Sequence, residues 1–235
     1  MRVLWVCLVF IIVGCSPQKG PVILPPPVPK PKPAPAPLPP PPPLMTPISK
    51  GLVVIDPGHG GDDLGTQSNS APKYMEKHLN LATAQQLRTF LNQMGYATVM
   101  TRTKDTFISL DKRAQFANER NPTLFISVHY NSAPSKDAEG IEVFYYQTDK
   151  DPARTKESKA LAQDVLTKII AESKARSRGI KHGNFAVIRQ TTMPAILVEG
   201  GFLTNDDEMN KIKDPAYVKK LAWAMAQGID TWVGK

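Results

Sequence analysis

Two histidines and several carboxylates of this 235-residue chain stand where apolar runs stop. Leu52-Val53-Val54-Ile55 leads to Asp56 and then to His59, which is set among Gly58, Gly60 and Gly61. Phe125-Ile126-Ser127-Val128 leads to His129, and Ile196-Leu197-Val198 leads to Glu199. Turn chemistry alone explains an Asp-Pro-Gly after one strand. It does not explain three strands that end in His, His and Glu. In α/β sheets, active groups gather beyond the carboxyl ends of the parallel strands. Two neutral imidazoles and a carboxylate make a catalytic zinc set that keeps one position for water. Zinc lowers the pKa of such a water towards about 7 and polarises a carbonyl, so a second carboxylate is needed to move protons. Glu199 and Glu76 are the first candidates for the two carboxylate tasks. Asp56, Asp62 and Asp63 compete for the ligand position, with Glu139 and Glu142 behind them.

Positioning these groups requires strands and helices in alternation. Leu52–Ile55 reads as a buried strand, and the periodicity predicts a helix over Glu76–Met94 closed by Gly95. A strand over Tyr96–Thr101, a helix over about Ser109–Arg120 and a strand over Leu124–Val128 follow. Ile141–Tyr146 is β-rich, and Glu157–Lys174 is helical. Phe185–Ile188 and Ala195–Val198 read as two further strands. An amphipathic helix carrying Val218, Leu221, Ala222, Met225, Ile229 and Trp232 closes the chain. Several strands are apolar throughout, as strands buried on both faces must be. The fold class is therefore α/β, a three-layer sandwich with a mainly parallel central sheet flanked by helices.

The chain divides by composition. From Pro17 to Pro47, 16 of 31 residues are proline and none is acidic, so this segment cannot bury a core and reads as an extended linker. Residues 48–235 are left as the domain, of ordinary domain length. They carry 25 basic and 21 acidic residues, a balance too mild for a nucleic-acid partner, and no basic-aromatic motif supports one. Residues 1–14 read as a lipoprotein signal peptide: Arg2 is followed by the 11 apolar residues Val3–Val13, too few for the ~20 of a spanning helix. Ile12-Val13-Gly14-Cys15 resembles a bacterial lipobox, with Cys15 the lipidated residue and residues 15–47 the lipidated cysteine and linker. Cys7 would leave with the signal, so no disulfide is expected in the mature chain. As polyproline II, at about 3.1 Å per residue, the linker would reach about 95 Å. The expected location is the cell envelope, anchored by lipid. Ser16 after the cysteine favours the periplasmic face of the outer membrane in a Gram-negative cell.

Five blocks, "VVIDPGHGGDDLGT", "EKHLNL", "TRTKDTFISLDKRAQFAN", "FISVHYNS" and "MPAILVEGGFLTN", together resemble the zinc-dependent N-acetylmuramoyl-L-alanine amidases over Leu52 to about Val233. The resemblance implies that His59, Glu76 and His129 bind one Zn2+ and that Glu199 takes a proton from zinc-bound water and hands it to the leaving amine. The implied reaction cuts the amide between the lactyl group of N-acetylmuramic acid and L-alanine in peptidoglycan or muropeptides. It would serve wall remodelling, septum splitting or recycling. In that family, members acting in cell division carry a long insertion whose helix blocks the zinc. Here only Gln147 to about Lys156 separates the corresponding strand from the next helix, so an open groove needing no protein activator is expected.

Other residues receive plainer readings. Asp56 is expected to orient His59 or its loop, and Asn131 to bind substrate or fix its loop. Arg102, Asp105 and Arg113 are read as structural. His78 lies about 200° around a helix from Glu76 and reads as a surface residue, and His182 reads as a loop residue. Phe144, Tyr145 and Tyr146 alternate as a strand should and read as mostly core. Three other readings compete: a wall-binding module without catalysis, a zinc peptidase that cuts within the stem peptide, and a penicillin-sensitive serine enzyme built on Ser109-Leu110-Asp111-Lys112.

Overall fold

A computed structural model describes residues 49–235. The expected signal peptide, Cys15 and proline-rich linker lie outside the described residues. In chain order the elements are β1 (Leu52–Pro57), α1 (Glu76–Gln93), β2 (Ala97–Met100), α2 (Leu110–Asn118), β3 (Leu124–Asn131), β4 (Ile141–Tyr145), α3 (Pro152–Ser173), β5 (Ser177–His182), α4 (Ala186–Arg189), β6 (Ala195–Phe202), α5 (Asp206–Ile212) and α6 (Pro215–Val233). The strands form one sheet in the order β2-β1-β3-β6-β4-β5. β1, β2, β3 and β6 run parallel, whereas β4 pairs antiparallel with β6 and parallel with β5. The expected three-layer α/β sandwich is what forms.

Side chains alternate across the sheet and so divide its two faces. Val53, Ile55, Leu124, Ile126, Val128, Ile196 and Val198 pack with Leu87 and Leu91 of α1, Leu161 and Val165 of α3, and Leu221 and Met225 of α6. The opposite residues, Val54, Phe125, Ala195 and Leu197, pack with Ala117 of α2 and with Val187 and Ile188 of α4. This second helical layer is thin, since α2 has 9 residues and α4 only 4. Continuing the strands on that face leads past the apolar positions to Asp56, His129 and Glu199. The site therefore stands where the sheet outruns its shorter cover.

Two expectations are corrected. Phe185–Ile188 is not a strand. Phe185 occupies the N-cap of α4, and Val187 and Ile188 are buried as part of one helical turn. A run of four apolar residues fits either state. The sixth strand is instead β5, whose sequence SRGIKH carries no apolar run because it pairs only with β4 at the sheet edge, where polar residues are usual. Helix α3 begins at Pro152 rather than Glu157: Asp151 caps it by accepting from Arg154 N, and Pro152 takes the first helical position. Only residues 146–151 thus separate β4 from α3. The short helix α5 was not expected, although Asn205, whose side chain accepts from Glu208 N, gives it an ordinary capping signal.

Buried arginines fix the loop after β1. Arg113 Nη1 donates to Asp56 Oδ1 at 2.9 Å and to the Pro57 carbonyl at 2.7 Å, and Nη2 donates to the His59 carbonyl at 2.8 Å. Arg102 donates to the carbonyls of Pro57, Gly58 and Lys77. Thr101 and Ser127 hydroxyls complete the Asp56 carboxylate. The Arg113 and Asp56 side chains are 2% and 1% exposed, so deleting either leaves an uncompensated buried charge. Arg113→Ala should lower stability by about 3–5 kcal/mol, read as a lower urea midpoint at unchanged slope. A loss below about 1 kcal/mol would contradict this account of the loop.

Candidate metal centre

His59 follows the last residue of β1 by two positions and has φ 59°, in the left-handed region. That conformation costs a non-glycine residue about 1–2 kcal/mol and is held by the surrounding bonds. The Arg113 guanidinium binds its carbonyl, Gly60 and Asp63 exchange backbone hydrogen bonds, and His59 Nδ1 donates to Asp63 Oδ1 at 2.8 Å. With Nδ1 occupied, Nε2 faces Glu76 Oε2 at 3.2 Å. His129, at the end of β3, places Nδ1 2.9 Å from Glu76 Oε1. The two rings stand at 78° with centroids 5.0 Å apart.

Glu76, the first residue of α1, is 4% exposed and sits between the two imidazoles. Its Oε1 also accepts from Tyr130 N and Asn80 Nδ2, both at 3.2 Å, and Oε2 accepts from Thr66 N at 2.9 Å. A carboxylate is also favoured at a helix N-terminus by the helix dipole. The glycines of the loop have a steric reason here. A Cβ on Gly58 would come within 2.2 Å of His129 Nε2, and one on Gly65 within 2.5 Å of Glu76 Oε2.

One donor atom from each of His59, Glu76 and His129 fits within a 4.8 Å span. Two imidazoles and a carboxylate, with a second carboxylate fixing one imidazole by its other nitrogen, have the chemistry of a divalent-metal site. The protonation states agree. Burial pushes the Glu76 carboxyl up, but hydrogen bonds from His129 and His59 outweigh it and hold it well below the usual carboxylate range. Burial pushes His59 down, but hydrogen bonds and charge from Glu76 and Asp63 outweigh that and leave it above its ordinary value.

Glu199 has the opposite environment. It stands beside His129 in the β3–β6 register and beside Glu142 in the β6–β4 register. Its Oε2 is buried without a hydrogen-bond partner. Burial, with the charges of Glu76 and Glu142 nearby, pushes its carboxyl well above the ordinary value. Glu142 is compensated by Arg178, Lys181 and Asn131. The two imidazoles, Glu76 and Glu199 all line one cavity of about 610 Å³.

The remaining predicted residues fall as follows. Asp56 lines this cavity and makes no hydrogen bond to His59, so of the two tasks expected of it, orienting the ring or its loop, its contacts are those of the second. Asp56 acts on the loop through Arg113, and Asp63 is the residue that holds the imidazole. Asp62 is exposed and outside the cluster. Asn131 donates to Glu142 and accepts from Ser132 N, so both ends fix its loop. Arg102 and Arg113 are structural, as read. Asp105 is as well: it accepts from Gly61 N and Lys77 Nζ. His78 is exposed, and His182 Nδ1 accepts from Gln147 N at the end of β5, outside the cavity lining. Ser109 is likewise not among the cavity's lining residues. The sequence reading missed Asn80 and the positioning use of Asp63. The i,i+4 spacing of His59 and Asp63 was the available signal.

The chain belongs to the N-acetylmuramoyl-L-alanine amidase family, whose profile matches residues 53–231. It is 37% identical over 185 residues to N-acetylmuramoyl-L-alanine amidase LytC of Bacillus subtilis, a match covering 79% of this chain and 36% of that protein. The chain thus spans about a third of the length of that relative. Among solved structures, an N-acetylmuramoyl-L-alanine amidase from Clostridium difficile 630 is 40% identical with a TM-score of 0.73, over 78% of this chain and 97% of that one. The CwlD amidase from Clostridioides difficile, solved in complex with the GerS lipoprotein, is 25% identical with a TM-score of 0.72, over 78% and 98%.

A metal ion bound at this cluster would compete with a proton for His59. Because His59 lies above its ordinary 6.5, affinity should fall as pH drops through that raised value, and binding should release protons. Titration calorimetry with zinc in buffers of different ionisation enthalpy, at pH 6.5 and 8, should show stronger release at the lower pH. Affinity independent of pH, with no proton release, would contradict the site.

Proposed function

We propose that this protein is a zinc-dependent amidase that hydrolyses the amide between the lactyl group of N-acetylmuramic acid and L-alanine in peptidoglycan. The observation that carries the reading is the pairing, in one groove, of the His59–Glu76–His129 cluster with Glu199, whose Oε2 is buried without a hydrogen-bond partner. An amide is a hard bond to cut, because its leaving amine needs a proton and its carbonyl needs polarising. His59, Glu76 and His129 would hold the zinc, which supplies a Lewis acid for the carbonyl and makes water more acidic.

The chain's own residues do the rest. Thr66 N, Tyr130 N and Asn80 Nδ2 donate to Glu76 and favour its ionised form, and Asp63 keeps the His59 ring turned with Nε2 towards Glu76. Glu199 takes a proton from the attacking water and delivers it to the amine nitrogen as the C–N bond breaks. A carboxyl raised by burial suits both halves of that task near neutral pH. The six-residue connection between β4 and α3 has no room for a helix over the groove, which supports activity without an activator. Cys15 is proposed as a lipid anchor holding the domain at the periplasmic face of an outer membrane. The motivation is the sequence Ile12-Val13-Gly14-Cys15 and the proline-rich segment behind it. Among the described residues no helix is long and apolar enough to cross a membrane.

The purified domain should convert muropeptides to free stem peptide and peptide-free glycan, identified by mass spectrometry. Activity should vanish with chelator and return with zinc, and kcat should fall about 10²–10⁴-fold in Glu199→Ala. Fragments cut within the stem peptide would establish a peptidase instead, and a zinc-loaded but silent domain would sink both readings. Cys15→Ala in the full chain should move the protein from the membrane fraction to the soluble one. Unchanged membrane association would remove the anchor.

A further inference from the structure

The sheet register carries functional side chains beyond the metal cluster. His129 of β3 stands beside Glu199 of β6, and Glu199 stands beside Glu142 of β4. Phe144, two residues after Glu142 and so on the same face, stands beside Lys181 of the edge strand β5. One face of the sheet thus bears a row that runs from an imidazole through two carboxylates to a cation at the edge. Asn131, which lines the cavity, donates to Glu142 Oε1 at 2.7 Å and joins the row to the groove.

Two cations share one oxygen of Glu142. Arg178 Nε donates to Oε2 at 3.0 Å, and Lys181 Nζ donates to the same atom. The Glu142 side chain is 6% exposed, but those of Arg178 and Lys181 are 33% and 41% exposed. Arg178 is held in place: Nη1 donates to the Glu139 carbonyl at 3.2 Å, and the guanidinium lies 4.9 Å from the ring centroid of Phe202, a β6 residue three positions after Glu199. The neighbouring Glu139 carboxylate is taken by Arg176. Three cations thus face two carboxylates. Among the described residues Lys181 Nζ has Glu142 as its sole partner, which leaves two of its three N–H donors open. One cation suffices to compensate Glu142, so the second, partly open to solvent, is surplus positive charge that suits an anionic ligand.

The two halves of the substrate differ in what they offer such a charge. In the sugar half the lactyl carboxyl is tied up in the scissile amide, so the muramoyl group is neutral. Free carboxylates belong to the stem peptide, the first on its second residue, a glutamate whose α-carboxyl is either free or amidated. The spacing agrees. Two strand separations lie between β6 and β5, or about 10 Å. An extended peptide covers about 3.3–3.6 Å per residue. From an amide cut beside Glu199 the second residue therefore reaches about 7 Å along that row, and its carboxylate extends further towards Lys181.

Resting on the amidase reading, we propose that Lys181 and Arg178, set by Glu142, form a carboxylate subsite for the second residue of the stem peptide. The subsite makes the enzyme prefer stem peptides in which that α-carboxyl is free over those in which it is amidated.

The test compares two muramoyl tripeptides that differ only in whether the α-carboxyl of the second residue is free or amidated. The wild type should cleave the free acid with a kcat/KM about three- to tenfold higher, mainly through KM. Lys181→Met, which leaves Arg178 on Glu142, should lower kcat/KM on the acid more than on the amide and remove most of the preference. Lys181→Arg should retain it. In parallel, calorimetry on the zinc-loaded protein should show the sugar-free tripeptide binding more tightly as the acid than as the amide. Equal kcat/KM on the two substrates in the wild type, equal losses on both in Lys181→Met, or equal affinity for the two sugar-free peptides would overturn the subsite. A wild type that cleaves neither substrate would overturn the amidase reading alone, and the peptide titrations would still decide the subsite.

Discussion

The structure turns on one buried carboxylate. Glu76 accepts hydrogen bonds from two backbone N–H groups and an amide side chain, and a nitrogen of each imidazole lies within 3.2 Å of its oxygens. Tyr130 N belongs to β3 and Thr66 N to the loop after β1, so the same carboxylate ties the start of α1 to both. An ionised group this deep survives only with such compensation. Much else serves this arrangement. Glycines at 58 and 65 clear space for the rings and the carboxylate, His59 accepts a left-handed backbone, and buried arginines hold the carbonyls of the loop.

A second carboxylate, one strand away from His129, is treated oppositely. Glu199 receives no donor on Oε2, and its neighbours Glu76 and Glu142 add negative charge. Environment alone therefore drives two identical side chains in opposite directions, Glu76 towards its ionised form and Glu199 towards its protonated one. That separation is what the proposed roles of metal ligand and proton carrier require of them. Glu142 does not share the strain, because Arg178 and Lys181 neutralise it.

The sheet was legible in the sequence wherever strands are buried on both faces. β1, β3 and β6 announce themselves as apolar runs, and the polar residues that interrupt them, His59, His129 and Glu199, converge as the strand ends implied. Legibility failed where burial is one-sided or local. The edge strand β5 is polar, and the apolar Phe185–Ile188 run belongs to one helical turn capping the groove. It failed again for partners brought together only by folding. Asp56 meets Arg113 across 57 residues rather than His59 nearby, and Asn80 reaches back from α1 to both Gly58 and Glu76. Residue type and spacing located the chemistry. The bonds that orient it depend on loop geometry, which they do not encode.

The proposed chemistry requires Glu76, rather than an aspartate of the loop, to complete the metal shell with the two histidines. Crystals of the zinc-loaded domain, measured at the zinc edge, address that point. The anomalous peak is expected within about 2.0–2.2 Å of His59 Nε2, His129 Nδ1 and a Glu76 carboxylate oxygen. A peak held by Asp62 or Asp63, with Glu76 out of reach, would contradict the account.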